Sequence, residues 1–323
     1  MIAFAIRRLA AAVMVMFGLS VIVFLIFFAT PGIDPARQLA GKDPNPATVA
    51  AIRHDFGLDR PLPEQYLLLM KHLVIDRDLQ SYSNRGVRVI PEILTAAPVT
   101  LSLVLGAAVV WIVVSVALGV AAAVLRGSLW DKALMALALI GISMPVFWLG
   151  EVANLFTQDR WHGFFLFSWI PPLGYTPFGT DPVLWMRHLV VPWLVLATLY
   201  IGLYARILRA AVIDTETQDF VRTARSKGIS ERRVLIRHVL RTSMIGFVSV
   251  FGLDFGALVG GGALLVEVVF GLPGVGQLTY QSLQGLDLPV IMATVLYGGF
   301  FIVVVNALVD MLYARLDPRI REV

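Results

Sequence analysis

Leu101–Leu125, LSLVLGAAVVWIVVSVALGVAAAVL, holds no charged residue over 25 positions and stops at Arg126. A helix crossing a hydrocarbon core of about 30 Å needs roughly 20 mostly apolar residues, so this run suffices for one crossing. Five more runs of the same kind flank it. Leu9–Thr30 has no charge, Ala133–Phe156 contains only Glu151, and Leu189–Ala205 ends at Arg206. Thr242–Val266 contains only Asp254 and stops at Glu267, and Leu288–Val309 lies between Asp287 and Asp310. The sequence therefore predicts an all-α membrane protein with six transmembrane helices. The first run exceeds the roughly 7–15 residues of a signal core and ends in Thr30-Pro31-Gly32 without an Ala-x-Ala site, so it reads as a retained anchor.

Composition agrees. Of 323 residues, 58% are hydrophobic and 15% charged, against roughly 45–50% and about 25% in a soluble domain. The mean hydropathy of +0.80 has no place in a water-soluble enzyme of this length. With no Cys, the chain has no disulfide framework, no thiolate nucleophile and no cysteine metal cluster. The net charge of +4 is small, and the 26 Lys and Arg residues act through their positions beside apolar spans, not as a nucleic-acid surface.

Those positions set an orientation. With the N-terminus cytoplasmic, the inside holds Arg7, Arg8, Arg126, Lys132, nine basic residues between Arg206 and Arg241, and Arg315, Arg319 and Arg321. The 31–97 connection is too long to obey the positive-inside rule, and its eight basic residues are matched by eight acidic ones. Both termini are expected in the cytoplasm of a multi-pass plasma-membrane protein.

Three segments follow: 1–30 as the N-terminal end and first helix, 31–97 as an external loop subdomain, and 98–323 as a five-helix core with a cytoplasmic loop at 206–241. In the external loop, Asn45 followed by Pro46 is a cap-then-first-turn signature, with Val49, Ile52 and Phe56 on one face and Gly57 as the stop. A second short helix is expected from Pro63 to Val74. The 206–241 loop, with nine basic and four acidic residues, reads as two helices broken at Gly228. Ser230 is placed to cap the second, with Glu231 in its first turn. Composition leaves two readings open for this loop, an element that engages a partner and a basic hairpin at anionic headgroups.

Here a family resemblance enters. Asp219-Phe220-Val221-Arg222-Thr223-Ala224-Arg225-Ser226-Lys227-Gly228, followed by His238 and Arg241, resembles the "EAA" loop of binding-protein-dependent ABC importer permeases of the dipeptide/oligopeptide branch. Against the general motif, Arg222 replaces Glu, Thr223 the first Ala and Arg241 Pro. Arg7-Arg8-Leu9, Pro31-Gly32-Ile33-Asp34-Pro35, Gly57-Leu58-Asp59-Arg60-Pro61, Ser143-Met144-Pro145-Val146-Phe147, Glu267 through Gly276, and Asn306, Asp310, Tyr313 with Leu316-Asp317-Pro318-Arg319 are similar to the same branch, in the same order. Arg77-Asp78-Leu79-Gln80-Ser81 departs from it, standing where Gly-Asp-Leu-Gly-x-Ser is usual, which puts that tight turn in question.

The resemblance implies a type I-like ABC importer permease domain forming half of a translocation pathway for di- or oligopeptides. It implies a second homologous permease subunit, two ABC ATPase subunits and an external substrate-binding protein as partners, besides membrane lipid. This chain would bind no cofactor and catalyse nothing, with ATP and magnesium held in the ATPase subunits. The residues agree on one point: Gly271–Gly276 lacks a Gly-Lys-Ser/Thr ending, so it is no P-loop. Nickel, glutathione or another small solute stands as the alternative cargo within the family.

By the same implication, Asp219, Phe220, Thr223, Ala224, Arg225, Lys227, Gly228, His238 and Arg241 form the ATPase-coupling loop. Phe220 is a candidate knob, and Ala224 is small enough for close approach. In the fifth run, Gly252, Gly256 and Gly260 recur every four residues and form a packing ridge. Asp254 points away from that ridge; it either lines a polar path or bonds a neighbouring helix. Glu267 is a second candidate for the path, with capping of a turn as the bland alternative. Arg206 and Arg209 read as headgroup anchors. Pro145 is expected to kink or break the third span. The five His residues form no His-Glu-x-x-His and no i, i+4 pair, so no metal site is expected. A channel or secondary transporter would call for internal repeats, and none is evident between 1–160 and 161–323. An intramembrane hydrolase would need a base at membrane depth, yet no run contains a His.

Overall fold

The computed structural model describes residues 2–29, 36–37, 40, 45–55, 57–84, 86–159 and 161–316. The Pro31–Pro35 motif, Phe56 and residues 317–319 of the terminal motif lie outside the described residues.

The described chain is all-α, with no strand beyond one isolated bridge between Gln80 and Arg88. Its helices are α1 (Ile2–Phe28), α2 (Pro46–Asp55), α3 (Leu62–Met70) continued by a π turn (Lys71–Ile75), α4 (Val89–Val124), α5 (Leu129–Ser143), α6 (Val146–Thr157) and α7 (Pro182–Glu216). Next come α8 (Asp219–Ser226), α9 (Glu231–Val234) with a π turn (Leu235–Leu240), and α10 (Arg241–Ala257) with a π turn (Leu258–Gly262). The chain ends in α11 (Leu264–Phe270), α12 (Val275–Gly285) and α13 (Leu288–Leu316). Five helical stretches are long and apolar enough to cross a membrane: Arg7–Phe28, Val89–Val124, Pro182–Glu216, Glu231–Gly262 and Leu288–Leu308. A sixth crossing requires α5 and α6 to count as one span, although they meet at a bend of 98°.

That bend falls at Met144-Pro145. The ring of a proline disfavours helical geometry in the residue before it and removes a helical N–H. Met144 is accordingly extended (φ −92°, ψ 131°), and Pro145 begins α6 from the N-cap position. The fifth run also breaks before its expected end. Gly261 takes φ 129° between the π turn and α11, a conformation reserved for glycine.

Two compact units share the chain. The first comprises Met1–Thr100, Val259–Leu264 and Pro273–Val323. Its core joins Val23 and Phe24 of α1, Leu69 of α3, Leu79, Val89 and Ile93, and Val290, Met292 and Ala293 of α13. Tyr66 packs edge-on to Phe17 and Phe24, and its hydroxyl lies 2.8 Å from Ser20 Oγ. The expected helices of the 31–97 segment are present. Asn45 Oδ1 accepts the Ala47 N–H at the start of α2, and Gly57 follows its end with φ 65°. The second expected helix ends in a π turn, after which Arg77 takes φ 56°. A left-handed conformation at a residue with a side chain costs about 1 kcal/mol or more. Buried Asp287 accepts from Ser81 Oγ and from the N–H groups of Tyr82 (3.0 Å) and Ser83 (3.3 Å), pinning 81–83 to the α12–α13 junction.

The second unit comprises Leu101–Leu258 and Leu265–Leu272. Its tightest packing joins α5 to α7. A Cβ on Gly202 would fall 2.1 Å from the Ala138 carbonyl oxygen, and Gly141 rests against Thr198. Asp131 and Arg209 tie the same two helices through paired 2.7 Å hydrogen bonds. Asp131 also accepts the Gly127 N–H, while its own N–H donates to the Ser128 cap. Arg209 is therefore an intramolecular clamp, and its expected role as a headgroup anchor is corrected. A carboxylate at the start of a neighbouring helix satisfies the guanidinium better than a mobile lipid can.

Candidate functional site: the hinged segment after α7

The sequence expects two helices in 206–241, and the structure places the first boundary differently. Residues 206–216 continue α7, which ends where Thr217 Oγ1 and the Gln218 N–H donate to the carbonyls of Asp214 and Thr215. A new helix, α8, then starts at Asp219, whose carboxylate lies in the first turn where the helix dipole favours negative charge. Val221 and Ala224 are buried and Phe220 is 41% exposed, so α8 presents an aromatic side chain on its open face.

Gly228 takes φ 74° and reverses the chain, with open space where a Cβ would stand. Ser230 occupies the N-cap of α9 without the expected side-chain hydrogen bond. The cap position is instead framed by an ion pair that sequence reading missed. Arg225 Nε lies 3.0 and 3.2 Å from the two Glu231 carboxylate oxygens, and Nη2 lies 3.2 Å from one of them. This pairing holds the guanidinium above its usual value. An acid and a base flanking a glycine turn were the available signal. Thr223 Oγ1 donates to the Asp219 carbonyl, and Lys227 is exposed. His238 lies half-buried in the π turn, where its carbonyl accepts the Thr242 hydroxyl. Arg241 lines an open cleft of about 730 Å³ with Arg232, Arg233, Arg237, Ser230 and Ile236.

The candidate path residues lie elsewhere. Asp254 on α10 accepts a 2.7 Å hydrogen bond from Tyr204 Oη on α7. Tyr204 belongs to an aromatic cluster with Trp111, Tyr200, Phe247 and Phe251, in which Trp111 stacks on Tyr200 at 4.3 Å. The Trp111 indole N–H is buried without a hydrogen-bond partner. Glu267 is fully buried in the first turn of α11, and its carbonyl accepts the Leu272 N–H. Gly252 and Gly256 are buried on α10. Gly260 lies beyond them in the π turn, where a Cβ on Gly298 of α13 would come 2.2 Å from the Gly260 carbonyl oxygen.

Several helices long and apolar enough to cross a membrane, with a glycine-hinged pair of short helices between two of them, define an all-α multi-helix membrane protein. A family model described as binding-protein-dependent transport system inner membrane component matches residues 115–322, and its N-terminal companion matches 1–104. The chain belongs to this family of multi-pass inner-membrane permease components. It is 39% identical over 324 residues, 99% of either chain, to a Brucella abortus (strain 2308) protein named as a peptide transport system permease. A Brucella suis relative with the same kind of name is 39% identical over 323 residues, again 99% of each. The glutathione transport system permease protein GsiC of Escherichia coli (strain K12) is 35% identical over 323 residues, 99% of each chain.

Proposed function

We propose that this chain forms half of the translocation path of an ATP-driven importer and moves di- and oligopeptides delivered by an external substrate-binding protein. The observation that carries the reading is the clasped turn at Gly228. Two short helices joined by a fixed angle, with Phe220 and Arg225 on the open side, make a compact lever for a partner to push. Two ATPase subunits, which hold ATP and magnesium, engage Asp219–Arg241 from the cytoplasm, and a second homologous permease completes the path. Both termini are cytoplasmic, as the Arg and Lys placement favours. Asp254, oriented by Tyr204, offers a carboxylate to a polar solute, whereas Glu267, the second candidate, is fully buried in α11 in this structure. The names of the Brucella relatives support peptides as cargo, and that of GsiC supports glutathione, itself a short peptide, as the second reading.

The test is affinity purification in mild detergent followed by mass spectrometry. Co-purification of two nucleotide-binding subunits, a permease of similar size and a binding protein is the expected result. The ligand of that binding protein then separates longer peptides from glutathione. Recovery of this chain alone, conducting solute without ATP, would overturn the proposal.

A further inference from the structure

We infer that His72, Asp76 and Asp78 form a binding site for one divalent transition-metal ion of the zinc class, on the segment that joins α3 to α4. Sequence reading missed it, because the five histidines form no i, i+4 pair with one another and a lone His72–Asp76 spacing is no metal signature.

The backbone builds the cluster. The π turn Lys71–Ile75 carries His72, and the chain reverses at Asp76-Arg77 with Arg77 left-handed. The N–H groups of Asp78 and Leu79 then donate to the His72 carbonyl at 3.1 and 3.3 Å, which folds Asp78 back over the imidazole. His72 Nδ1 lies 2.8 Å from Asp78 Oδ1 and 3.8 Å from Asp76 Oδ2, and the three donor atoms all fall within 4.8 Å of one another. Bonds of about 2.1 Å to a tetrahedral ion place its ligands ~3.4 Å apart. The cluster therefore brackets that geometry, and side-chain rotations alone would close it.

Its chemistry suits a borderline ion. One imidazole and two carboxylates are the donors that zinc and nickel accept, whereas calcium and magnesium favour six or more oxygens. His72 and Asp78 also line a cavity of about 390 Å³ together with His54, Gln65, Gln80 and Tyr82. That space leaves room for water or a solute donor to complete the coordination. Lys71 Nζ, 3.5 Å from Asp76 Oδ2, is a built-in competitor for one of the carboxylates.

The experiment is equilibrium dialysis of the untagged full-length chain, in lipid nanodiscs with whatever subunits co-purify, against ZnCl2, with metal counted by mass spectrometry. One saturable zinc per chain is expected. His72→Ala and Asp78→Asn should each weaken binding at least about tenfold, while their thermal midpoints without zinc stay close to wild type, since these side chains are about half exposed. Lys71→Met should tighten binding, a change that a metal-free hydrogen-bonded turn would not produce. Absence of saturable uptake, or uptake unchanged in the His72→Ala, Asp78→Asn double variant, overturns the site.

Discussion

Arg225 and Glu231 close the turn at Gly228 from opposite sides, with three contacts of 3.0, 3.2 and 3.2 Å between one guanidinium and one carboxylate. Six residues apart, they belong to different helices, so the pair fixes the angle between α8 and α9 where neither helix alone could. Both side chains reach solvent, at 38% and 72% exposure. Such a pair contributes little to global stability, about 0–1 kcal/mol, and its value lies in geometry.

Removing either partner should therefore separate coupling from stability. Arg225→Ala and Glu231→Gln are expected to shift the thermal midpoint little while lowering ATP-dependent uptake several-fold. The exchanged pair, Arg225→Glu with Glu231→Arg, should recover part of that uptake. Equal losses of stability and uptake would show the pair to be merely structural.

Gly228 is demanded by its dihedral, since no atom lies within 4 Å of a Cβ placed there. Gly228→Asn, which tolerates the left-handed region, should retain transport, whereas Gly228→Val costs about 1–2 kcal/mol locally. Gly228→Pro, or a bulky residue at buried Ala224, should abolish uptake and leave the protein in the membrane, as read by membrane fractionation beside a transport assay.

The Asp131–Arg209 clamp has the opposite character. Asp131 is 6% exposed at its side chain and Arg209 27%, so deleting one partner strands the other. Asp131→Ala or Arg209→Ala should each lower the thermal midpoint, because the remaining charge loses both of its 2.7 Å hydrogen bonds, measured as loss of detergent-solubilised folded protein on heating. The double variant should be less damaging than the two single effects added together.

Contact between α5 and α7 rests on Gly202. Its replacement by Ala puts a methyl 2.1 Å from the Ala138 carbonyl oxygen, a backbone atom that a side-chain rotation cannot move. Gly202→Ala should cost about 1–3 kcal/mol or more, whereas Ala at Gly163 or Gly246, where nothing lies within 4 Å and φ is not left-handed, involves no such overlap. Thermal midpoints of the three variants would check this order.

Asp59 supplies a pH dependence. Its carboxyl is held below the ordinary value of 3.8, chiefly by the hydrogen bond with His54 at 3.0 Å. Because the folded value is the lower one, the contribution is complete above the unfolded value and is lost as pH falls through the folded one. The thermal midpoints of wild type and Asp59→Asn should therefore differ by a small amount just above the ordinary carboxylate range and converge in more acidic solution.

The apolar runs were legible because insertion depends on local composition, about 20 residues at a time. The same holds for the breaks at Pro145 and Gly228, which follow from what a proline ring or a missing Cβ does to its own backbone. The left-handed conformation of Arg77 was not legible, because the surrounding backbone hydrogen bonds and not the residue's own preference impose it. The long-range pairings had no such signature. Asp131 meets Arg209 across 78 positions, Tyr204 meets Asp254 across 50, and Ser81 meets Asp287 across 206. A charged residue in a sequence announces that it needs a partner, and the packing of helices selects which one. Chain chemistry thus determined a multi-pass membrane protein with a glycine-hinged loop, and the order of its motifs the permease resemblance. Three-dimensional packing assigned its carboxylates and arginines to one another, because electrostatic partners are chosen by distance in space and not by distance along the chain.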